Sequence, residues 1–570
     1  MRQPLFQSVH RFLPWGGYAV VWALLLALIA LPVALVLGAG AQPLYLLEAL
    51  RHPAYQAGLL NAFTVACIVT VLAFGIALPL AWLGWRYRFR YQGLAEALVL
   101  APLILPPFVG ALGVFQLFGT HGVLNSLGAN LGWWTAGLGP DWLGNYRLAL
   151  ICIVEALGLY PILYLLLAAG FARLDGSLIE AAAACGASRW TAYRRVALPL
   201  LRPALFAGGS VVFVWSFTEL GTPLMLGFDQ ITPVQIFHGL ASLQSNQLPF
   251  ALVLIMLVVV AACFVGARLL TGRFAQALVV KGAQGEHARR LRGWGAVWAW
   301  LPFAAVTLAA ATPHLVVVLL GVAKDWYGTV FPQGLTLARY HEALSHEMVV
   351  PAITNSLLYS LLATVLAVAL GFAVAWITTR WRPFGSRALD GLAMVPLAVP
   401  GLIMAFGFLA LAELICRVIP AVRPWIHPEQ FPVPLLVIAY AIRRLPHVVR
   451  ATNAGLLQAP PALEEAAAAC GAGFAYRLRR VTLPIIAGSV AAGAILTFSF
   501  SMLEVSDSLI LAQQRAHWPI TKVIYDLVAL LGTGPAIACA FATWAMAFLA
   551  GALACAAAFL GRSPTSLFRG

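Results

Sequence analysis

Twelve apolar stretches, each long enough to cross a lipid bilayer as a helix, succeed one another along the 570-residue sequence. They lie near 18–38, 57–85, 95–119, 148–170, 203–226 and 249–270, then near 296–321, 352–379, 389–412, 433–455, 486–511 and 534–560. Crossing the hydrocarbon core takes about 20 apolar residues. Composition agrees: 62% of residues are hydrophobic and 10% charged, where a soluble domain carries about 25% charge. So few charges could not coat soluble domains, and disordered, collagen-like and disulfide-scaffold chains are excluded by the same figures. The chain is read as an all-α integral membrane protein. None of its eight cysteines forms a C-x-x-C pair, and Cys67, Cys152, Cys263, Cys539 and Cys555 fall in apolar runs, as buried free thiols do. Ala39-Gly40-Ala41 resembles a signal-peptidase site. The apolar run before it is longer than the roughly 7–15 residues of a signal sequence, so it is read as a retained first helix.

Lys and Arg set the orientation. With the N-terminus placed in the cytoplasm, 27 of the 35 basic residues fall on that side, and both termini are cytoplasmic. The formal net charge is +15, but in a membrane chain the placement of charge matters more than its total.

The chain also repeats itself. EAAAACGASRWTAYRRVALPLLRP begins at Glu180, and EAAAACGAGFAYRLRRVTLPIIAG begins at Glu465, an offset of 285. The same offset relates Tyr160-Pro161 to Leu445-Pro446 and Glu219 to Glu504. Upstream it becomes 294, relating Asn61 to Asn355, Trp82 to Trp376, Arg86 to Arg380, Pro102 to Pro396 and Pro106 to Pro400. The first half carries nine more residues between its third and fourth helices, in the Gly- and Trp-rich stretch 121–147. Six helices per half give a parallel repeat. The expected organisation is a first module over 1–270, a basic cytoplasmic linker over 271–295 and a second module over 296–570.

Each repeated loop is basic, Ala-rich and cytoplasmic. EAAAAC favours a helix, Gly-Ala interrupts it, and a second helical stretch runs to Leu-Pro, which punctuates the next span. Such a helix–break–helix suits docking into a groove on another protein. The pattern E-A-A-x-x-x-G, followed after about ten residues by L-P, resembles the EAA loop of ABC importer permeases, and the likeness extends over nearly the whole chain as two fused modules. The resemblance implies a type I transmembrane domain of twelve helices in two parallel six-helix repeats. It implies that Glu180, Ala181, Ala182, Gly186, Leu198 and Pro199, with Glu465, Ala466, Ala467, Gly471, Leu483 and Pro484, couple the chain to an ATPase. Many members carry Asp before the Gly, where this chain has Cys185 and Cys470. No lysine follows a glycine here, so no P-loop is present. ATP and Mg would be used by a separate ATPase in two copies, and this chain would bind no cofactor of its own. The other expected partners are a periplasmic binding protein and the bilayer of a bacterial inner membrane, with no nucleic acid.

Charges within spans are costly and tend to line a pathway. Glu155, Glu219, Arg443, Arg444, Glu504 and Asp507 are the candidates; Glu219 and Glu504 would alternatively cap or pair helices, and the Arg pair would anchor or pack. SFTELGTPLMLGF (216–228), YAIRRLPHVVRATNAGL (440–456) and EVSDSLIL (504–511) resemble the fused permeases of iron(III) importers, with thiamine and 2-aminoethylphosphonate permeases as alternatives. Carboxylates suit a trivalent cation, and the Arg pair would equally suit a phosphonate. A proton-coupled secondary carrier is the rival from another class, but it needs no docking loop in each half. His341-Glu342-Ala-Leu-Ser-His346 misses the zinc motif HExxH, because histidines five apart on a helix diverge by about 140°. It reads as an external surface helix. No catalytic or metal site is expected.

Overall fold

A computed structural model describes residues 15–103, 105–135, 137–174, 176–242, 246–271, 289–530 and 532–559. The first half is built on ten principal helices: α1 (Trp15–Gly40), α2 (Pro53–Arg86), α3 (Gln92–Val99), α4 (Pro107–Phe118), α5 (Arg147–Ala172), α6 (Gly176–Ala184), α7 (Leu198–Phe217), α8 (Gly221–Met225), α9 (Thr232–His238) and α10 (Leu248–Thr271). The second half repeats them in order: α11 (Trp294–Val322), α12 (Val349–Trp376), α13 (Ser386–Ala398), α14 (Gly401–Val418), α15 (Val433–Gln458), α16 (Pro461–Ala469), α17 (Leu483–Met502), α18 (Ser506–Leu511), α19 (Ile520–Ala529) and α20 (Gly534–Phe559). Most of the expected linker, residues 272–288, lies outside the described residues.

Among the described residues, eleven helices are long and apolar enough to cross a membrane. The expected twelfth span, α15, has 26 residues but carries Arg443, Arg444 and Arg450, which take it out of the apolar set. It packs with α12 and α17 as α5 packs with α2 and α7. Arg443 and Arg444 thus belong to the interior of α15 and not to the segment that follows it.

Four of the expected spans are interrupted. The run 95–119 is divided into α3 and α4 by Pro102, Pro106 and Pro107, and the run 389–412 breaks between α13 and α14 at Val399-Pro400. Pro400 forces Val399 out of the helical region, to φ −93° and ψ 119°. The runs 203–226 and 486–511 break after α7 and α17, and each break contains the repeated glutamate, Glu219 or Glu504. By contrast, Leu-Pro does not interrupt its helix. One π turn precedes it in each half, Tyr193–Ala197 and Leu478–Thr482, and the amides of Leu198 and Leu483 reach back five residues. That wider register absorbs the amide that proline cannot donate.

The two halves interlock. α1 packs on α14 of the second half, and α11 packs on α4 of the first. Both contacts set a glycine against a proline: a methyl added at Gly407 would lie 2.8 Å from Pro32 Cβ, and one added at Gly113 would overlap the carbonyl of Pro313. Leu25 and Ile29 of α1 are fully buried in the common core. Tyr87–Arg88, after α2, pairs in parallel with Arg289–Arg290, just before α11, which puts both basic segments on one face.

On the opposite face, the Trp-rich stretch 121–147 forms two short helices around Asn125, whose amide bonds the carbonyls of Thr120 and Pro140. His341 and Glu342 lie on the surface helix Ala338–Ser345, where Glu342 pairs with Arg339 at 2.9 Å; His346 falls beyond the helix end. Cys152 and Cys539 are buried, and Cys67 and Cys263 half-buried, as expected of small apolar groups, whereas Cys555 is exposed on α20. The outer surface of a spanning helix faces lipid, so an apolar run need not be buried in protein.

Candidate functional site

The six charged residues expected in the spans converge where the helices break. Arg443 and Arg444 project from the middle of α15; Glu504 occupies the break between α17 and α18, and Asp507 the first turn of α18. Arg443 Nη1 donates to Glu504 Oε1 at 2.6 Å and lies 3.5 Å from Asp507 Oδ2. Arg444 pairs with the other oxygen of Glu504 and approaches the Phe500 carbonyl. Glu504 is only 4% exposed and Asp507 0%. Charges so buried persist only when paired, and removing one partner typically costs about 3–5 kcal/mol.

The first half supplies acids only. Glu155, 1% exposed on α5, accepts a hydrogen bond from Ser216 Oγ at 2.5 Å. Glu219 caps α8, its Oε1 accepting from the amides of Gly221 at 3.1 Å and Thr222 at 3.4 Å. Glu219 interacts electrostatically with Glu155 in its own half and with Arg443 and Glu504 across the interface. The two broken stretches touch: a methyl added at Gly221 would lie 3.1 Å from Val505 Cγ1. The cluster therefore holds four carboxylates against two guanidinium groups. Glu155 Oε1 and Asp507 Oδ1 are buried with no hydrogen-bond partner. Glu219 caps and Glu504 pairs, so the capping and pairing roles are both realised, within one inter-half cluster.

Three members were absent from the sequence expectations. Ser216 holds Glu155, and Tyr440 bonds Ser508 at 2.6 Å beside Asp507. The repeat carried a signal for Tyr440, because the 285 offset places it opposite Glu155. From the other side, α19 reaches the same break: Thr521 Oγ1 donates to the Glu504 carbonyl at 2.7 Å, and Lys522 Nζ to the Leu509 carbonyl at 2.9 Å. Burial pushes the Lys522 ammonium down to about 8, against a smaller upward pull from Asp526.

The repeated loops form the second candidate surface, and each is the expected helix–break–helix. Two residues past the ends of α6 and α16 stand Gly186 and Gly471, both with φ +84°. In each, the glycine amide bonds the carbonyl three residues back, Ala183 or Ala468, at 2.9 Å. The next amide bonds five residues back, Ala182 or Ala467, at 3.0 Å. This paired capping pattern needs a left-handed residue at its turn, which glycine adopts without strain. Glu180, Ala181, Ala466 and both glycines are exposed; Ala182, Ala467 and Glu465 are half-buried. Leu198 and Pro199 are half-buried, whereas Leu483 and Pro484 are exposed. Arg380, at the end of α12, fixes α16 through Glu464 at 3.2 Å and the Ala459 carbonyl at 2.9 Å. Beyond Gly186, an open cavity of about 270 Å³ is lined by Trp190, Thr191, Arg194 and Arg195.

Comparison with known proteins agrees with this architecture. The family described as "Binding-protein-dependent transport system inner membrane component" matches residues 73–279 and, a second time, 367–556. The chain is 28% identical to the "Probable ABC transporter permease protein y4fN" of Sinorhizobium fredii, over 98% of both chains. It is 23% identical to the ferric transport system permease protein FbpB of Actinobacillus pleuropneumoniae, over 78% of this chain and 63% of that protein. With the molybdenum transport system permease protein ModB of Mycobacterium bovis it shares 29% identity, over 38% of this chain and 80% of the relative. The chain belongs to the family of binding-protein-dependent transport system inner membrane components, as an ABC transporter permease with two type I transmembrane modules fused in one multi-pass inner membrane chain.

Proposed function

We propose that this chain forms the whole translocation pathway of an ATP-driven importer, that the pathway runs between its halves through the charged cluster, and that its cargo is iron(III). The two modules, 1–270 and 296–570, would stand in the membrane with both termini cytoplasmic. A separate ATPase, in two copies, would seat on α6 and α16, and a periplasmic binding protein would deliver cargo to the opposite face. ATP binding draws the ATPase subunits together and moves both docking helices, opening the pathway toward the docked binding protein; hydrolysis resets it. The docking role of Glu180, Ala181, Ala182, Gly186, Leu198 and Pro199, and of their counterparts from Glu465 to Pro484, is supported by the identical turn geometry of the two loops.

One observation carries the cargo reading: four acids, three of them buried and Glu219 half-buried, stand in one cluster with two guanidinium groups, and one oxygen on each of Glu155 and Asp507 has no partner. Hard oxygen donors in excess of their counter-ions suit a hard cation. The arginines are engaged by Glu504 and Asp507, and Arg444 Nε is the one guanidinium nitrogen of the pair that is buried with no partner, so they offer an oxyanion, a phosphonate or thiamine pyrophosphate a single unengaged buried donor. The ferric relative supports the same reading, and the molybdenum relative favours the oxyanion. Proteoliposomes holding the chain, its ATPase and its binding protein decide between them. ATP-dependent uptake of radiolabelled iron(III), with none of molybdate, is expected; molybdate uptake without iron would overturn the cation reading.

A further inference from the structure

The repeat carries one more pair, which the docking loops and the charged cluster leave unused. Asn61 and Asn355, related by the 294 offset, stand near the starts of α2 and α12, at the ends remote from the docking loops. Each donates to backbone just ahead of a short helix of its own half. Asn61 Nδ2 donates to the Gln230 carbonyl at 2.6 Å, before α9. Asn355 Nδ2 donates to the carbonyls of Ala516 at 3.0 Å and Trp518 at 3.2 Å, before α19. Further bonds join the same elements. Gln235 of α9 donates to the Ala54 carbonyl of α2 at 2.8 Å, and the Ile520 amide of α19 donates to Ser356 Oγ of α12 at 2.8 Å. A methyl added at Gly58 on α2 would overlap the Gln235 side chain. Each short helix is therefore fastened to the second span of its own half.

Across the halves the two short helices meet differently. The Phe237 ring of α9 packs edge-on against the Tyr525 ring of α19, with centroids 5.9 Å apart and planes at 90°, and both residues are half-buried. The main packing of each helix lies elsewhere, α9 on α2 and α10, α19 on α20 and α12. An edge-on ring pair favours contact over separation by only about two- to tenfold, so this junction can open and close. Tyr525 is one turn along α19 from Thr521, which bonds the Glu504 carbonyl. The ring contact thus adjoins the charged cluster on the side away from the docking loops. At its other end α12 continues through the π turn Ile377–Trp381 to Arg380, which fixes the docking helix α16 through Glu464 and the Ala459 carbonyl. From Asn355 to Arg380 the unbroken helical run covers about 38 Å.

We propose that Phe237 and Tyr525 form the outer closure of the pathway, and that Asn61 and Asn355 are the positioning residues through which α2 and α12 part the two rings when the docking helices move. Displacement of α16 reaches α12 through Arg380, crosses the membrane along one continuous helix, and reaches α19 through Asn355. α2 and Asn61 carry α9 in the same manner. Parting of the rings opens the charged cluster toward the binding protein, and their return closes it. This inference rests on the importer reading above.

The test combines Phe237→Cys and Tyr525→Cys in a full chain whose eight native cysteines are replaced by Ser, held in lipid nanodiscs with its ATPase. Dibromobimane, which becomes fluorescent on linking two nearby thiols, reads the contact. Linking without nucleotide should fall at least fivefold when a hydrolysis-deficient ATPase is held with ATP and Mg. Adding Asn61→Leu and Asn355→Leu, which keep the size and lose the donors, should cut that change to less than twofold while the ATPase stays bound. A second readout needs no added thiol. Phe237→Ala or Tyr525→Ala should raise ATP hydrolysis without binding protein about two- to tenfold, the population shift that loss of one ring pair produces. Phe213→Ala, which removes the Phe63–Phe213 ring contact inside the first half, should leave it unchanged. This readout carries the test should the Asn variants fail to fold. Equal linking with and without ATP in a chain that binds its ATPase, a full fivefold change in the Asn variants, or equal effects of Phe237→Ala and Phe213→Ala would overturn the proposal and leave the importer reading intact. A folded chain that binds no ATPase would overturn both.

Discussion

At positions 186 and 471 the backbone turns through φ +84°, and a methyl added to either glycine would meet nothing within 4 Å. Strain and bulk can therefore be separated there. An L-residue in the left-handed region costs about 1–2 kcal/mol, and Ala pays that cost without filling space. Arg pays the same cost and adds a long charged side chain to the exposed docking surface. Gly186→Ala or Gly471→Ala should retain ATPase co-purification and most transport. Gly186→Arg or Gly471→Arg should abolish both while the chain remains inserted and monodisperse; normal uptake by the Arg variants would remove these loops from the coupling role. Unequal effects of the two are allowed, because Leu198 and Pro199 are half-buried whereas Leu483 and Pro484 are exposed. The glycines and their spacing could be read directly from the sequence, since a repeated helix stop is a local property. Ser216 as the partner of Glu155 could not, because 61 residues separate them and only packing of α5 on α7 brings them together.

Single glycines also govern how elements meet. Gly113 on α4 and Gly407 on α14 each lie against the backbone of a proline on the first helix of the opposite half, Pro313 and Pro32. Backbone at such a contact cannot rotate away as a side chain can, so larger residues force the helices apart. Overpacking of this kind costs about 1–3 kcal/mol. Gly113→Leu and Gly407→Leu should lower the melting temperature of the purified chain, and the double variant more than either single one. Gly75→Leu is the control: Gly75 is interior to α2 but has nothing within 4 Å, so leucine there should leave melting unchanged or raise it through better helix propensity. If all three behave alike, the glycine–proline contacts contribute nothing particular. The element breaks show the limit of reading spans by apolarity. Pro102, Pro106, Pro107 and Pro400 were all visible, yet hydropathy runs through them unbroken; what they change is backbone geometry, which an apolar average does not register. Arg443, Arg444 and Arg450 have the converse effect: the stretch 433–455 reads as a span, yet these three charges keep α15 out of the helices apolar enough to cross.

For the whole molecule, the repeat fixed the helix content and parallel arrangement of the halves at the sequence level, but not that they interlock. Nothing in the spacing of apolar residues says that α1 packs on α14 as well as on α10 of its own module, or that α11 packs on α4 as well as on α20. Periodicity reports that a helix has a buried face, not whose face covers it. The crossing has a consequence for assembly. Each module without the other leaves its first helix with only its own last helix, α10 or α20, as a partner, and exposes the glycine surface of its α4 or α14. The charged cluster is likewise incomplete, since Arg443 and Arg444 come from one half and Glu155 and Glu219 from the other. The covalent connection itself makes few demands, because the crossed helices and the cluster hold the halves together independently of it. Expressed as two chains, 1–280 and 281–570, the halves should co-purify with full recovery of ATP-dependent uptake when produced together. Either half alone should be degraded or aggregate. Stable, monodisperse accumulation of a lone half would show that the packing of α1 on α10, or of α11 on α20, suffices to hold the first helix, and that the crossing is not what joins the permease.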